Sequence, residues 1–343
     1  MWGGFAVALA FLILTVTNAS WLAPNPPGAP KQIAHRGVGL EVRGSWEEDC
    51  IATRIAEPTS RHLPNTRASI LRADRMGGWL IEVDAQLAKD GEVVLLSDTD
   101  LACLTDGTGA VADTSVEELK TLDAGYRYTA DNGTTVPFRG KGLTIPTLGE
   151  IARAIPVQAR LMVHMRGDDP ALADAVASAL KSVGRDPQET GDGFYGSAAA
   201  TARIRELYPE VWAFTADNAR QCAADYKTTG WTGLIPASCE GGTMLIALDE
   251  QALLWGWPNR LIARMTDAGA KILIEAPGYA APGEIAGITL PEQLTQIPSS
   301  FNGYVWTDDA FSTLPALIPR FDNRNQAEID ASQAALERRR NAQ

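Results

Sequence analysis

The chain has 343 residues, of which 45% are hydrophobic and 21% charged, and its formal net charge is −12. That length and composition suit one large folded domain with a sizeable core, and exclude a small disulfide module or a disordered chain. The acidic balance excludes non-specific binding to nucleic acid or anionic lipid, both polyanions, so a phosphate would have to be met by a placed cation.

Residues 1–23 form the one membrane-directed segment. Phe5 to Val16 is nearly all apolar, and Thr17, Asn18, Ala19 and Ser20 follow, the pattern of a signal peptide or N-terminal anchor. A spanning helix needs ~20 residues, which Met1 to Leu22 just supplies. No Lys or Arg precedes Lys31, so an apolar helix packed on the domain is the alternative. Residues 24–30 are proline-rich and read as an extended linker.

Apolar strand-like runs then alternate with helical stretches. The strands are expected at Gln32–His35, Trp79–Asp84, Val93–Ser97, Leu161–Met165, Phe194–Gly196, Val211–Thr215, Lys271–Glu275 and Gly303–Thr307. Helices are expected at Asn65–Met76, Val116–Leu122, Leu148–Ala154, Ala171–Val183, Ala198–Leu207, Asn218–Thr228 and Pro258–Ala268. Eight strands alternating with helices predict a (β/α)8 barrel spanning residues 31–320. A doubly wound sheet is the competing layout, but no Gly-rich phosphate loop opens the first helix. Val38–Arg61 and Ala124–Ile145 are long inserts, and residues 321–343 read as a polar terminal helix.

Four cysteines, Cys50, Cys103, Cys222 and Cys239, allow three pairings, and none has a metal-type C-x-x-C spacing. With an export signal, two disulfides are the natural reading. Cys222 and Cys239 flank one helix–loop unit and form the first pair, leaving Cys50 with Cys103.

The chemistry gathers at strand ends. Glu82 and Asp84 lie two apart on one strand, so both side chains share a face. Adjacent carboxylates need something positive between them, either a divalent cation or a salt-bridged arginine. His35 and Arg36 end the first strand, offering an acid/base group and a planar phosphate fork. His164 and Arg166 repeat that pattern on another strand, and His164 is a candidate ligand beside Glu82 and Asp84. His62, before Pro64 and Asn65, reads as a loop residue. Three histidines in all exclude a His-rich zinc site.

Together these residues resemble the glycerophosphodiester phosphodiesterase family, barrels of the phospholipase-C-like phosphodiesterase type. His35-Arg36-Gly37 matches the family's first catalytic His and phosphate-binding Arg, and Glu82 and Asp84 match two metal ligands. Asn65-Thr66, Thr105-Asp106-Gly107-Thr108-Gly109 and Ile145-Pro146-Thr147-Leu148 match further signatures. Gly230-Trp231-Thr232-Gly233, Trp255-Gly256-Trp257-Pro258 and Tyr304-Val305-Trp306-Thr307 resemble an exported bacterial branch.

The resemblance implies His35 as catalytic residue, Arg36 and Arg166 as phosphate clamps, and a metal held by Glu82, Asp84 and His164. The cation would be one Ca²⁺, Mg²⁺ or Mn²⁺, with Zn²⁺ admitted because an imidazole replaces a family carboxylate. Ser97 stands where the family has its second catalytic His, Pro64 where it has a Glu, and Arg166 where it has a Lys. The implied activity is hydrolysis of glycerophosphodiesters or lipid headgroup diesters to glycerol phosphate and an alcohol, by an exported protein that is periplasmic, membrane-anchored or secreted. The substitutions define the alternative, a degenerate barrel that binds a phosphate ester or metal without turnover.

Overall fold

The structure is a computed structural model that describes residues 2–44, 50–278 and 282–341. Trp46, Glu47, Glu48 and Asp49 of the first insert lie outside these residues. Eight parallel strands form a nearly closed barrel: β1 (Lys31–Ala34), β2 (Leu80–Leu87), β4 (Leu161–Met165), β5 (Gly193–Gly196), β6 (Trp212–Phe214), β7 (Thr243–Ala247), β8 (Lys271–Glu275) and β9 (Tyr304–Thr307). The hydrogen-bonded order runs β6-β5-β4-β2-β1-β9-β8-β7. Across the remaining seam the Trp212 indole N–H donates to Thr243 Oγ1 at 2.9 Å.

The barrel is the expected fold, but its membership differs at two places. Val93–Leu95 (β3) is not a wall strand; it folds back antiparallel on β2, pairing Ala85 with Leu95. The hairpin signal is Lys89-Asp90-Gly91, where Gly91 takes a left-handed φ of 82°. The missing wall strand is Thr243–Ala247, an apolar run opened by Gly241-Gly242 and long enough for a buried parallel strand.

The helices pack outside the wall: α2 (Arg67–Arg75), α3 (Leu148–Ala154), α4 (Ala171–Ser182), α5 (Ala198–Leu207), α6 (Ala216–Thr229), α7 (Asn259–Asp267) and α8 (Ala310–Leu317), with α9 (Gln326–Asn341) at the C-terminal end. Their starts are set by side-chain caps: Thr147 and Glu150 form a reciprocal capping box on α3, and Thr215 and Ser197 cap α6 and α5. The apolar helix α1 (Trp2–Asn18) precedes the barrel. It stops short of the Met1–Leu22 span, because a short 3-10 turn at Ser20–Leu22 breaks it. No helix of the described residues is long and apolar enough to cross a membrane.

The two inserts share a core of their own. Leu40, Ile55, Leu63, Leu96, Leu104, Tyr128 and Phe138 are all buried in one cluster beside the barrel mouth. The disulfide Cys50–Cys103 staples that cluster, and Cys222–Cys239 ties α6 to the loop before β7. Both are the expected pairs, and two disulfides suit an oxidising compartment.

His62 packs its ring 6.1 Å from Phe311 and lines a cavity of about 940 Å³ between the first insert and α9. Burial, then Arg72 and Arg61, push its imidazole down to about 4.

Two stability predictions follow from these contacts. Replacing Cys222 and Cys239 together by Ser should lower the unfolding free energy by about 3 kcal/mol, the chain-entropy value for a loop of that size; denaturant titration reads it. The unfolded chain protonates His62 near 6.5 while the folded chain keeps it neutral, so folded stability should fall as the pH drops from about 6.5 toward 4. His62→Gln should flatten that part of the pH–melting curve, and an unchanged slope would assign the loss elsewhere.

Candidate active site

The site is built at the carboxyl ends of β1, β2, β4 and β9. In β2, Glu82 and Asp84 alternate with Ile81 and Val83, and both carboxylates are fully buried at the barrel mouth. The parallel register sets Asp84 beside His164, and His164 beside Tyr195. After β1 the chain turns sharply: Arg36 adopts a left-handed φ of 56° and Gly37 of 80°. A side chain at Gly37 would meet Ser69 Oγ at 2.5 Å, so only glycine lets this turn sit on α2. The turn aims the Arg36 backbone N–H at Glu82 Oε2, 2.8 Å away.

Asp84 is saturated. Its Oδ2 lies 2.7 Å from Arg36 Nε and accepts from Asn65 Nδ2 at 3.0 Å. Its Oδ1 faces His164 Nδ1 at 2.9 Å and accepts from Arg166 Nη1 at 3.2 Å. All four acceptor positions of the carboxylate are thereby used. Burial alone would raise the Asp84 carboxyl, but Arg36, Arg166 and His164 outweigh it and hold it well below the usual range. The arginine alternative for the acidic pair is therefore realised at Asp84.

Glu82 is bound more lightly. Its Oε1 accepts from the Tyr195 hydroxyl at 3.0 Å and its Oε2 from the Arg36 amide. Burial and the neighbouring Asp84 push its carboxyl up. His35 Nε2 lies 3.7 Å from Glu82 Oε2. That nitrogen is buried and makes no hydrogen bond. The other ring nitrogen, Nδ1, is 2.5 Å from Asp308 Oδ1, which orients the imidazole. Burial and Arg36 disfavour a charged His35, yet Asp308 and Glu82 win and raise it.

His164 is stacked on Tyr195 at 4.0 Å, and burial together with Arg166 pushes it down against the pull of Asp84. Arg166 also pairs with Glu284 at 3.0 Å, and its side chain is the most open of the group at 21% exposed, against 5% for Arg36. His164, Arg166 and Glu284 line a cavity of about 500 Å³, together with Thr99, Ser197 and Asn218.

All six sequence-derived site residues therefore converge. Their neighbours Asp308, Glu284 and Tyr195 were not anticipated. Asp308 had a signal, an acid directly after a strand; Glu284 sits in an irregular loop and had none. Ser97 Oγ accepts from Asn65 Nδ2 at 3.0 Å.

Among the described residues one group of metal-type donors lies close enough to share an ion: one ligand atom each from His35, Glu82 and Asp84 falls within 4.8 Å of the others. The orphaned His35 Nε2 and the unused acceptor positions of Glu82 fit a divalent cation. Asp84 fits only by exchanging a donor, and Arg166 is the more exposed of its two guanidinium partners. His164 engages Asp84 through Nδ1 and is not part of that close group.

Residues 50–183 match the model of the glycerophosphoryl diester phosphodiesterase family. That stretch of the chain is similar to the family. The matched stretch holds Asn65, Glu82, Asp84, His164 and Arg166, while His35 and Arg36 precede it. A putative glycerophosphodiester phosphodiesterase of Bacillus subtilis is 30% identical over 149 residues, 43% of this chain and 57% of the relative. A glycerophosphodiester phosphodiesterase of Caldanaerobacter subterraneus is 39% identical over 97 residues, 28% of this chain and 37% of the relative. The chain thus spans between about a third and three-fifths of the curated relatives it matches.

The family domain of an uncharacterised Mycobacterium tuberculosis protein superposes with a TM-score of 0.60 at 20% identity, covering 85% of this chain and 99% of that one. An Oleispira antarctica phosphodiesterase in complex with the product sn-glycerol-3-phosphate gives 0.55 at 22%, covering 84% and 96%. At those identities the two structures establish the shared fold.

Replacing Asp84 by Asn should destabilise the protein by about 3–5 kcal/mol, the cost of leaving buried cations without their anion. Thermal or denaturant unfolding reads the change; a loss below 1 kcal/mol would mean the arginines are compensated elsewhere.

Proposed function

We propose that the chain is an exported phosphodiester hydrolase that cleaves glycerophosphodiesters, or related headgroup diesters, to glycerol phosphate and an alcohol. One observation carries this: an Asp308-oriented imidazole keeps its Nε2 without a hydrogen bond 3.7 Å from Glu82, next to an Asp84 that binds two guanidiniums. That grouping moves a proton at a phosphorus centre while neutralising its oxygens.

In this reading Arg166 turns from Asp84 toward the phosphate entering its cavity, with Arg36 behind it. Water adds to phosphorus and the bond from phosphorus to the alcohol oxygen breaks. His35 Nε2 carries the proton between the attacking water and the departing oxygen, while Asp308 fixes its tautomer and supports its charge. A divalent cation, Ca²⁺, Mg²⁺ or Mn²⁺ with Zn²⁺ admitted, would be held by Glu82 and Asp84 with a histidine donor, His35 or His164, and would supply Lewis-acid neutralisation of the phosphoryl oxygens. The two disulfides and the apolar N-terminal helix support export, with membrane attachment through that helix.

The second reading, a binder without turnover, is favoured by Ser97. Ser97 is bonded to Asn65 and His62 lies in a different cavity, so among the described residues the other imidazole of the site is His164, which is tied to Asp84 through Nδ1.

Purified protein should release glycerol phosphate from glycerophosphocholine, and His35→Ala should lower kcat/KM by about 10²–10⁴. Calorimetric binding of sn-glycerol-3-phosphate without any hydrolysis would select the second reading. Chelation should abolish turnover and added Mn²⁺ or Mg²⁺ should restore it. Full activity in chelator would instead assign the neutralising role to Arg36 and Arg166.

A further inference from the structure

The exposed large apolar side chains are not scattered. Of the fourteen among the described residues, eleven fall on α1 and the surface at its foot; only Trp79, Val157 and Phe321 lie elsewhere. Five are on α1: Leu9, Phe11, Leu12, Ile13 and Val16. Six are on the protein beneath it: Trp21, Leu22, Trp231, Leu234, Leu253 and Trp255. An apolar patch this concentrated marks an interaction surface.

The foot of α1 is fixed on the barrel. Arg264 Nη2 donates to Thr17 O at 2.9 Å, and its Nη1 donates to Asn18 Oδ1 and lies 2.7 Å from the Tyr226 hydroxyl. Asn18 Nδ2 donates to Trp231 O, and the Tyr226 hydroxyl to Trp255 O. The helix and the tryptophan-bearing segments therefore form one surface joined at the Arg264 guanidinium, which also satisfies the helix C-terminus.

Two properties identify what covers it. From Leu9 to Ile13 every consecutive α1 residue is exposed, and so are Thr15 and Val16; at 100° per residue these positions circle the helix. A protein partner would cover one stripe, whereas lipid covers all sides. The charge distribution agrees: no charged residue occurs before Lys31 in a chain of net charge −12. Three tryptophans at the foot of a short apolar helix match the composition of a bilayer interface. At 17 residues the helix is about 25 Å long, less than the ~30 Å hydrocarbon thickness.

We infer that the barrel docks directly on a bilayer, with α1 embedded from one side and Trp21, Trp231, Leu234 and Trp255 at the headgroup level. This rests on the membrane attachment proposed above and extends it from the N-terminal helix to the folded domain. It also orients the enzyme. The helix α6 begins at the candidate active-site cavity, which Asn218 lines, and ends at the patch. Its 14 residues set about 20 Å between its two ends.

The test uses the full chain with phosphatidylcholine vesicles carrying brominated acyl chains. The wild type should sediment with vesicles and its tryptophan emission should be quenched. The triple variant Trp231→Ser, Leu234→Ser, Trp255→Ser, checked for folding by circular dichroism, should bind at least tenfold more weakly although α1 is intact. If the triple variant binds like the wild type, α1 alone is the anchor and the docking surface is refuted. If the wild type ignores vesicles and instead forms dimers by sedimentation equilibrium, a second copy covers the patch, and both docking and attachment fail.

Discussion

Two carboxylates fixed two residues apart on one buried strand set the terms for everything around them. Strand geometry puts Glu82 and Asp84 on the same side, and burial removes the water that would otherwise separate their charges. The fold answers unequally. Asp84 receives two guanidiniums, an imidazole and an amide, and stays ionised. Glu82 receives a phenol and one backbone amide, and its carboxyl is pushed up. The uncompensated side of the pair is where His35 turns its free nitrogen, so the charge imbalance and the proton-handling group coincide.

The surroundings serve that imbalance. The left-handed turn at Arg36 and Gly37 delivers both an amide and a side chain to the acidic pair. Asn65, itself at a left-handed φ of 57°, accepts from the Asp84 N–H and donates to the Asp84 carboxylate, while reaching Ser97. On the far side, Asp308 is tied to the next layer. Its neighbour Asp309 caps α8 and accepts from Thr59 and from the buried Arg339 of the C-terminal helix. The insert and the C-terminal helix thus brace the carboxylate that aims His35.

Period and spacing made much of this legible. Alternation exposed Glu82 and Asp84 as a pair, and the strand-end position of His35-Arg36 and of His164-Arg166 brought four more residues to the same mouth. What alternation could not show was which cation would meet which carboxylate, because that depends on the register between β2 and β4 and on the turn after β1. Glu284 was hidden for a related reason: it arrives from an irregular loop with no periodicity. The expected and observed walls both have eight strands but differ in membership. Val93–Ser97 has the composition of a wall strand but turns back at Gly91, and Thr243–Ala247 is a short apolar run announced only by the two glycines before it. Length was the limit at the N-terminus, where composition reads as a span but Ser20 opens a 3-10 turn.

The account stands on the claim that this unevenly compensated acidic pair places a phosphate ester between Arg166 and His35. A crystal structure with sn-glycerol-3-phosphate tests it most directly. The phosphate should sit against Arg166, with that guanidinium turned away from Asp84 and an oxygen within hydrogen-bond distance of His35 Nε2. A phosphate found in the cavity beside His62, with Arg166 still on Asp84, would contradict it.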